Sequence, residues 1–377
     1  MKGASKMDDV IIAGAGFAGL ACAQSAARRG LRVRVLERKA AVGANVHTTG
    51  LLVKEAAQQW EIPGWLTRKV HGVRLYSPSL QSVDIESPGY YFLATDTSAL
   101  LRWFAREAQR CGALIGPGSA YCGAERSGDC LRLNQYGLKT AYLVGADGPQ
   151  STVARDFGLS TNSRFLLGVE AELQGVSGIE PDRLHCFVDS KLAPGYIGWA
   201  IPGVGGITQI GLACRRPYRP DLRAFIHKLE GLFDLSAARV LSKRGGLIPV
   251  GGRVSRFSAP NVLLIGDAAG LVSPLTAGGI HNALESGWYA GHAIADHILD
   301  GGVDPGRTVA PRYPSFFWKR WLRRGLDCDP PNVVYDWALS TPMMRSLARL
   351  IYFHKRGLWS TQAWREILGR DSRVASI

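Results

Sequence analysis

The sequence predicts an α/β protein that combines a parallel sheet with an inserted antiparallel β-sheet domain and a C-terminal helical extension. Three observations favour this fold class. Residues 9–37 show a strand–turn–helix–strand pattern, residues 161–250 are rich in strand-like runs with Gly and Pro at the turns, and aromatic and basic residues alternate after Pro311. A chain of 377 residues is long enough to bury the cores of two domains.

The first element is a βαβ unit. The apolar run 10–13 predicts a buried parallel strand, and an Ala-rich helix follows it. Between them lies the run Gly14-Ala-Gly16-Phe-Ala-Gly19, whose glycines suit a tight turn, close backbone approach to a pyrophosphate, and close helix packing. A second strand, 33–36, ends at Glu37, where a carboxylate would hold ribose hydroxyls. The pattern predicts a Rossmann-like dinucleotide site, with phosphates at the helix N-terminus.

The following elements can be assigned in order from the spacing of apolar residues. Residues 38–50 form a polar, Gly-bearing loop, and residues 69–95 alternate as a β-hairpin. A helix is predicted over residues 97–111, followed by short strands around 121–133 and a buried strand at 142–148. These elements continue the α/β pattern on both sides of the hairpin.

The second half of the chain returns to the α/β pattern after a strand-rich stretch. One helical segment, at about 220–233, interrupts the strands of residues 161–250. A buried strand then ends in Gly266-Asp267, and a helix is predicted over about 279–299. The cofactor domain is therefore expected to be discontinuous. The predicted bounds are 8–68, 96–160 and 251–305 for the cofactor domain, 69–95 and 161–250 for the substrate-binding sheet domain, and 306–377 for the helical extension.

Two later strand ends also place an acid beside a glycine. Asp147-Gly148 follows the strand at 142–148, and Ser151 is positioned to cap a new helix. Gly266-Asp267 leads to the turn Gly278-Gly279, whose backbone N–H groups could meet an electron-rich group at a helix start.

In this order and spacing, the three motifs resemble those of FAD-dependent oxidoreductases with the p-hydroxybenzoate hydroxylase fold, over about residues 8–300. The run 269–280 is closest to the geranylgeranyl reductase-like branch, and the run 198–202 resembles that branch's Trp-x-Phe-Pro segment. The resemblance implies FAD as the cofactor, Asp267 at a ribityl hydroxyl and Trp199 at the substrate cavity. The predicted cofactor-binding residues are Gly14, Gly16, Phe17, Ala18, Gly19, Glu37, Arg38, Gly43, His47, Thr48, Asp147, Gly148, Gly266, Asp267, Pro274, Gly278, Gly279 and Ile280.

The sequence departs from the resembled family at two places. The reductases carry a cysteine in the loop after the first acid, where this chain has Thr48 preceded by His47. Many family members carry an arginine near residue 97, where this chain has Asp96-Thr97. His47 is therefore the candidate acid or base near the flavin, with hydrogen bonding to flavin or backbone as its alternative role. Trp199 is the second candidate catalytic residue, with core packing as its alternative.

Composition limits the partners. The net charge of +14 indicates an anionic partner, such as a phosphorylated substrate, an acidic carrier or electron-transfer protein, or a membrane surface. No nucleic-acid-binding module is recognisable. Seven scattered cysteines without a C-x-x-C pair indicate reduced thiols and a cytoplasmic protein, without a metal site. No apolar run approaches the length of a membrane span.

The C-terminal segment has two interpretations. Runs 313–324 and 351–359 interleave aromatic with basic residues, as helices at a lipid headgroup interface do. The alternative is a helical cap that packs its aromatics onto the sheet domain. The first interpretation would make the enzyme peripheral at a membrane.

The predicted function is an FAD-dependent oxidoreductase that reduces a hydrophobic, isoprenoid-like or quinone-like substrate by hydride transfer. The reductant would be NAD(P)H or a reduced electron carrier, because no second Gly-x-Gly-x-x-Gly motif is present. The main alternative is a monooxygenase that hydroxylates or epoxidises an aromatic or polyketide-like substrate, free or carrier-bound. A flavoprotein without net redox chemistry, or an electron-transfer subunit, is a further alternative.

Overall fold

The computed structural model describes residues 7–353. Within this range the chain divides into two compact units. The first consists of residues 7–52, 95–166 and 246–320, and the second of residues 53–94, 167–245 and 321–353. The α/β fold class is confirmed.

The eighteen strands formed by residues 7–353 are β1 (Asp8–Ala13), β2 (Val33–Glu37), β3 (Leu51–Val53), β4 (Thr67–Val70), β5 (Gly72–Tyr76), β6 (Ser82–Glu86), β7 (Phe92–Thr95), β8 (Leu114–Pro117), β9 (Ala124–Ser127), β10 (Cys130–Leu133), β11 (Lys139–Gly145), β12 (Phe165–Gln174), β13 (Arg183–Val188), β14 (Ile197–Pro202), β15 (Ile207–Arg215), β16 (Arg239–Pro249), β17 (Ser258–Ala259) and β18 (Val262–Leu264). The α-helices in the same range are α1 (Phe17–Arg28), α2 (Lys54–Gln59), α3 (Thr97–Arg110), α4 (Thr152–Asp156), α5 (Leu222–Leu229), α6 (Ile280–Asp300), α7 (Pro305–Val309), α8 (Phe317–Leu326), α9 (Asn332–Ser340) and α10 (Pro342–Phe353).

The first unit is built on a sheet with the strand order β17-β18-β11-β1-β2-β8, to which β10 and β9 are added beside β11. The five strands from β18 to β8 run parallel. Val10, Ile11 and Ile12 are fully buried, as an apolar run in a parallel sheet with both faces covered requires. Ala13 of β1 pairs with Gly145 of β11, so these strands end at one edge of the sheet.

Helices α1 and α6 pack with their backbones in close approach. A Cβ at Gly287 would clash with the carbonyl oxygen of Ala18, and one at Gly291 would lie 2.6 Å from that of Cys22. Because residues 287 and 291 of α6 follow residues 18 and 22 of α1 in the same direction, the two helices run parallel. Their N-termini therefore lie at the same end of the first unit.

The second unit contains a seven-stranded sheet in the order β16-β12-β15-β14-β13-β5-β6. Helix α5 covers one face of this sheet, where Phe225 packs with Ala171, Phe187, Ala200 and Leu212. Because side chains alternate along a strand, Glu170 of β12 and Trp199 of β14 belong to the opposite face. Strands β5 and β6 of the predicted hairpin region thus join the predicted antiparallel stretch in one sheet, in which β5 and β13 pair in parallel. Strands β4 and β7, at the ends of that region, belong to a three-stranded sheet with the order β3-β7-β4.

The two units differ from the predicted domain bounds, and the sheet-domain ends 161–166 and 246–250 group with the first unit. Residues 53–68 group with the second unit, because Lys54 Nζ donates to the Gly89 carbonyl (2.8 Å) and the Tyr90 hydroxyl donates to Glu55 (2.9 Å). Residues 306–320 group with the first unit, since the Tyr313 hydroxyl donates to the carbonyl of Leu264 (3.1 Å).

The C-terminal helices beyond residue 320 belong to the second unit. The Asp336 carboxylate of α9 accepts hydrogen bonds from the backbone N–H and hydroxyl of Ser79 (3.0 and 2.7 Å). The Arg349 guanidinium of α10 donates to the Glu86 carbonyl (2.7 Å). Of the predicted aromatic-basic run 351–359, only residues 351–353 are described, and the remainder lies outside the described residues.

Candidate functional site

The Gly-rich turn after β1 contains three glycines with different physical requirements. Gly14 has a φ of +106°, and a Cβ there would clash with the carbonyl oxygen of Ala146. A Cβ at Gly19 would clash with the Gly14 carbonyl oxygen, so Gly19 lets α1 pack against the turn. Gly16 is extended, and no atom lies within 4 Å of the position its Cβ would take. The fold thus requires Gly14 and Gly19, whereas Gly16 faces space open to a ligand.

The end of β2 is tied directly to this turn. The Glu37 carboxylate accepts hydrogen bonds from the backbone N–H groups of Ala15 and Lys39, both at 2.9 Å. Glu37 is buried, yet each carboxylate oxygen retains capacity for a further donor. This is the arrangement expected of an acid that receives ribose hydroxyls beside a phosphate loop.

The loop of residues 38–50 is fastened to the start of α3. The Ser98 hydroxyl donates to the Gly43 carbonyl (2.6 Å), and the Thr97 hydroxyl donates to the Thr49 carbonyl (3.2 Å). The Asp96 carboxylate accepts a hydrogen bond from a first-turn N–H of α3 (2.9 Å). The departure from the family pattern at Asp96-Thr97 therefore has a structural role: one residue caps the helix and the other anchors the loop.

The remaining predicted residues of this loop are more exposed. His47 and Arg38 are exposed, and Thr48 is half-buried. A Cβ at Gly246 of β16 would lie 3.1 Å from the His47 Cβ, so the strand passes close to the loop at His47. The role of His47 as an acid or base stays a prediction.

The end of β11 carries Asp147, whose carboxylate is committed to its own helix. It accepts hydrogen bonds from the Ser151 hydroxyl (2.6 Å) and from the N–H groups of Thr152 (2.6 Å) and Val153 (3.1 Å). Ser151 caps α4, as predicted. Because these donors hold the acid at the N-terminus of α4, a cofactor contact by Asp147 stays a prediction. Gly148 beside it has open space at its Cβ position.

The end of β18 leads into a 3₁₀ turn, Gly266–Ala269, that carries Asp267. Gly266 has a φ of +55°, and a Cβ there would lie 2.7 Å from the Ala18 Cβ of α1. Desolvation raises the pKa of Asp267 to about 6. Hydrogen bonds from a ligand to this carboxyl group would favour its ionised form.

The turn before α6 is closed by its own backbone. The Ser273 N–H donates to the Gly278 carbonyl (3.0 Å), and the Ala277 N–H donates to the Ser273 carbonyl (2.9 Å). Pro274 is buried within the turn, whereas Gly278 is exposed. Gly279 precedes Ile280 at the start of α6 and provides no side-chain cap, so the first N–H groups of the helix remain available to a ligand.

Strand register brings the three motifs together. Ala13, Leu36, Gly145 and Leu264 occupy paired positions on four adjacent strands, so the turns that follow them leave the sheet at one edge. Nucleotide ligands bind at this edge of parallel α/β sheets.

Phe17 and Ala18 play a different part from the other predicted cofactor residues. The Phe17 ring packs edge-on against Phe104, with centroids 5.9 Å apart, and the Ala18 side chain faces Gly266. Both side chains therefore pack within the protein. At these two positions, a cofactor would contact the backbone.

Trp199 belongs to a buried network in the second unit. Its ring lies against Gly211 of β15, where a Cβ would come within 2.6 Å of the indole. The indole N–H donates to the Glu170 carboxylate (2.6 Å), which also accepts from Arg244 Nε (2.7 Å). Arg244 in turn pairs with Glu172 (2.9 Å). The network fixes the indole across strand β15.

Sequence reasoning missed Glu170 and Arg244. Their only sequence signal is the alternation Glu170-Ala-Glu172, which places two acids on one face of β12. Arg244 lies far along the chain from both acids, and the register that joins them becomes visible only in the folded sheet.

His281, directly after Ile280, lies in the first turn of α6. Its side chain is only 12% exposed, its Nε2 lies 3.3 Å from a Glu285 carboxylate oxygen, and neither ring nitrogen hydrogen-bonds to another described residue. The i, i+4 spacing of His281 and Glu285 is the signal that could have identified this pair.

Two further properties concern metal binding and membrane crossing. Within residues 7–353, no three His, Cys, Asp or Glu side chains are grouped so that they could hold a metal ion. No helix in that range has the length and hydropathy needed to cross a bilayer.

Two family models match the chain. The model described as FAD dependent oxidoreductase matches residues 9–118, and the model described as FAD binding domain matches residues 124–304. Together they cover the Gly-rich turn, Glu37, Asp147 and Asp267.

Relatives and solved structures agree with this match. Digeranylgeranylglycerophospholipid reductase 2 of Methanosphaera stadtmanae is 30% identical, over 78% of this chain and 79% of that protein. The crystal structure of a geranylgeranyl bacteriochlorophyll reductase-like protein from Thermoplasma acidophilum superposes with a TM-score of 0.80 at 20% identity, over 96% of this chain and 99% of that one. A probable FAD-dependent monooxygenase, PqsL of Pseudomonas aeruginosa, has a TM-score of 0.65 at 22% identity, over 86% and 98%.

The open position at Gly16, the acid-bearing strand ends and the uncapped start of α6 fit FAD. Together with the sequence relationship, they show that this chain belongs to the geranylgeranyl reductase-like family of FAD-dependent oxidoreductases.

Proposed function

We propose that this FAD-dependent oxidoreductase reduces carbon–carbon double bonds in the isoprenoid chains of a lipid. The observation that carries the proposal is the 30% identity to a digeranylgeranylglycerophospholipid reductase across 79% of that protein. The likeness to a monooxygenase is a likeness of fold, at 22% identity. A reductase is therefore the better supported of the two predicted activities.

The residues of the first unit would hold the cofactor in a fixed position. The Gly-rich turn and the start of α1 would receive the pyrophosphate, Glu37 the ribose, and Asp267 a ribityl hydroxyl. The N–H groups at the start of α6 would stabilise negative charge on the flavin ring. Bound FAD, once reduced, would supply a hydride to one carbon of the alkene, and a proton from water would complete the addition at the other carbon. Because the turns are closed by protein hydrogen bonds, the site needs little rearrangement to accept its ligand.

The network around Trp199 would shape the hydrocarbon site of the second unit. An alkene has no hydrogen-bonding group, so its position must be fixed by apolar walls. The Trp199 ring, held by Glu170 and by the absence of a side chain at Gly211, offers a rigid apolar surface of this kind. Its polar edge is satisfied by Glu170, which keeps that hydrogen-bond donor away from the substrate.

The reductant is the second part of the proposal. The chain has a single Gly-x-Gly-x-x-Gly motif, which the FAD would occupy. We propose that NAD(P)H reduces the flavin in transient encounters, with a reduced acidic electron carrier as the alternative donor. Anaerobic titration of the yellow protein with NADH, NADPH or a reduced ferredoxin distinguishes these donors by which of them bleaches the flavin absorbance.

The activity is tested by product mass. FAD-loaded protein, chemically reduced without oxygen, is mixed with a geranylgeranylated glycerolipid, and the lipid is analysed by mass spectrometry. The expected product gains two hydrogen atoms for each reduced double bond. A product that gains an oxygen atom, formed only when air is admitted, would instead support the monooxygenase. An unchanged lipid under both conditions would contradict the proposal.

A further inference from the structure

Two consecutive C-terminal helices turn large apolar side chains towards solvent. On α8, Phe317, Trp318 and Trp321 are 66%, 48% and 61% exposed, and on α9, Val333 and Trp337 are 71% and 68% exposed. The spacing of 317 and 321, and of 333 and 337, places each pair on one side of its helix. We call the three of these residues that belong to the second unit, Trp321, Val333 and Trp337, the outer aromatic face. The predicted cap therefore holds for part of the segment: Tyr313 and Phe353 are buried against the protein, whereas these five side chains are not.

The opposite sides of these helices hold the buried polar residues. Arg323 of α8 is 2% exposed, and just after α8 the Asp329 carboxylate accepts a hydrogen bond from Arg215 Nε of β15 (3.2 Å). The Asn332 side chain at the start of α9 accepts from the Ser190 backbone N–H (2.8 Å) and donates to the Asp189 carboxylate (3.0 Å). Both helices are thus attached to the protein through specific polar contacts. The apolar side chains on their outer sides are therefore exposed in the folded state.

On α8, the outer aromatic face is bordered by positive charge. Helix α8 contains Lys and Arg but no Asp or Glu, and its Arg320 and Arg324 are exposed. On the helix, residue 324 adjoins residue 321 at the i, i+3 spacing, so a guanidinium lies beside the Trp321 ring. The whole chain carries a net charge of +14. A partner that binds this face must therefore provide both an apolar layer for the rings and negative charge for the guanidinium groups.

We propose that the outer aromatic face docks onto the surface of an anionic lipid bilayer, with α8 and α9 lying in the headgroup region. Tryptophan favours the boundary between headgroups and acyl chains, and arginine favours anionic lipid. With ten residues, α8 is ~15 Å long and too short to cross a bilayer. The two family models end before these helices, so the surface belongs to a part of the chain that they do not describe.

A second copy of this chain is a poorer occupant. A two-fold interface buries the same patch of both copies together, so two sets of the positive charges on α8 would be brought into one contact. Like charges at close range oppose such a contact. On a lipid surface, the same guanidinium groups would contact anionic headgroups, and the opposite charges would attract.

The proposal is tested by flotation of the full-length, FAD-loaded protein with vesicles of phosphatidylcholine alone or mixed with phosphatidylglycerol. We expect binding to the mixed vesicles that weakens with salt. The double variant Trp321→Ser/Trp337→Ser should lose about tenfold in partitioning, because its apolar anchors are removed. Arg324→Glu should lose about fivefold or more on mixed vesicles only, since about 1 kcal/mol is attributed to each basic residue near an anionic surface.

Trp65→Ser is the matched control, because Trp65 is 66% exposed and lies outside the outer aromatic face. It should bind vesicles like the parent protein. Absence of vesicle binding by the parent protein, or equal binding by the double variant, would overturn the proposal. A concentration-dependent dimer that the double variant abolishes, without vesicle binding, would identify a subunit interface instead. Retained flavin absorbance and reduction of a detergent-dispersed isoprenoid by the double variant would separate failure of docking from failure of the proposed activity.

Discussion

Gly16 is open to the cofactor and is not required by contacts within the fold. Its neighbours Gly14 and Gly19 are confined by contacts within the protein, whereas Gly16 has an extended backbone and open space at its Cβ position. A valine at position 14 would thus disturb the turn itself, and loss of cofactor in that variant would be ambiguous. Position 16 allows the cofactor site to be blocked in a folded protein.

We predict that Gly16→Val weakens FAD binding by about a hundredfold, or about 3 kcal/mol, because its branched side chain occupies the pyrophosphate position. Fluorescence titration of the apoprotein with FAD measures the affinity, and thermal unfolding of the apoprotein should be unchanged. Gly64→Val, at another glycine with no atom near its Cβ position, is the control and should bind FAD normally. Normal FAD affinity in Gly16→Val would refute the assigned phosphate position.

Asp267 makes FAD affinity depend on pH. Its pKa is raised to about 6 by desolvation, so below this pH the acid is protonated and must lose a proton before it accepts ribityl hydroxyls as a carboxylate. We predict an FAD dissociation constant that is constant above pH 7 and about tenfold higher at pH 5.

The measurement is an FAD titration between pH 5 and pH 8. Asp267→Asn should bind FAD with little dependence on pH over this range, because the titrating group is gone. Asp129→Asn, which removes the same charge from an exposed turn of the first unit, should retain the dependence of the parent protein. A flat profile for the parent protein would contradict an ionised Asp267 in the bound state.

At the scale of elements, the close packing of α1 and α6 connects two parts of the cofactor site. Helix α1 starts at the Gly-rich turn, and α6 starts at the turn after Asp267. Gly287 and Gly291 allow backbone contact between the helices, which leaves little freedom for one to slide along the other.

We predict that Gly287→Ala lowers the free energy of unfolding by about 1–3 kcal/mol, because the added methyl group clashes with the Ala18 carbonyl. Gly325→Ala in α8, where no atom lies within 4 Å of the Cβ position, should instead raise it by about 0.5–1 kcal/mol through helix propensity. Chemical denaturation of both variants checks the pair. An equal gain in stability for both would show that the helices tolerate a wider separation.

At the scale of the whole molecule, the sequence was most informative where one local pattern decides one structure. The apolar run before Gly14, the alternation around Pro78 and the acid after residue 36 correspond to β1, the β5–β6 hairpin and the end of β2. Each of these signals depends on neighbours in the chain. The fold class and the location of the cofactor site followed from them.

The parts that the sequence did not predict depend on partners distant in the chain. The pairing of Arg244 with Glu170 needs the register of β16 on β12, which no local pattern contains. The hydrogen bonds from Ser151 and Thr152 to Asp147 were not predicted, and a cofactor contact by this acid stays a prediction. The exposure of Trp321 and Trp337 could not be read from their spacing, because an amphipathic pattern is the same whether its apolar side faces a core or a lipid.

The glycine contacts between α1 and α6 also limit how this protein can diversify. A side chain added at residue 287 or 291 would push α6 away from α1, so selection for flavin binding should disfavour substitution of either glycine. Strands β12, β14 and β16 of the second unit and the C-terminal helices take no part in those contacts. New substrate preferences should therefore arise by substitution in these regions, while the first unit changes slowly across related lineages.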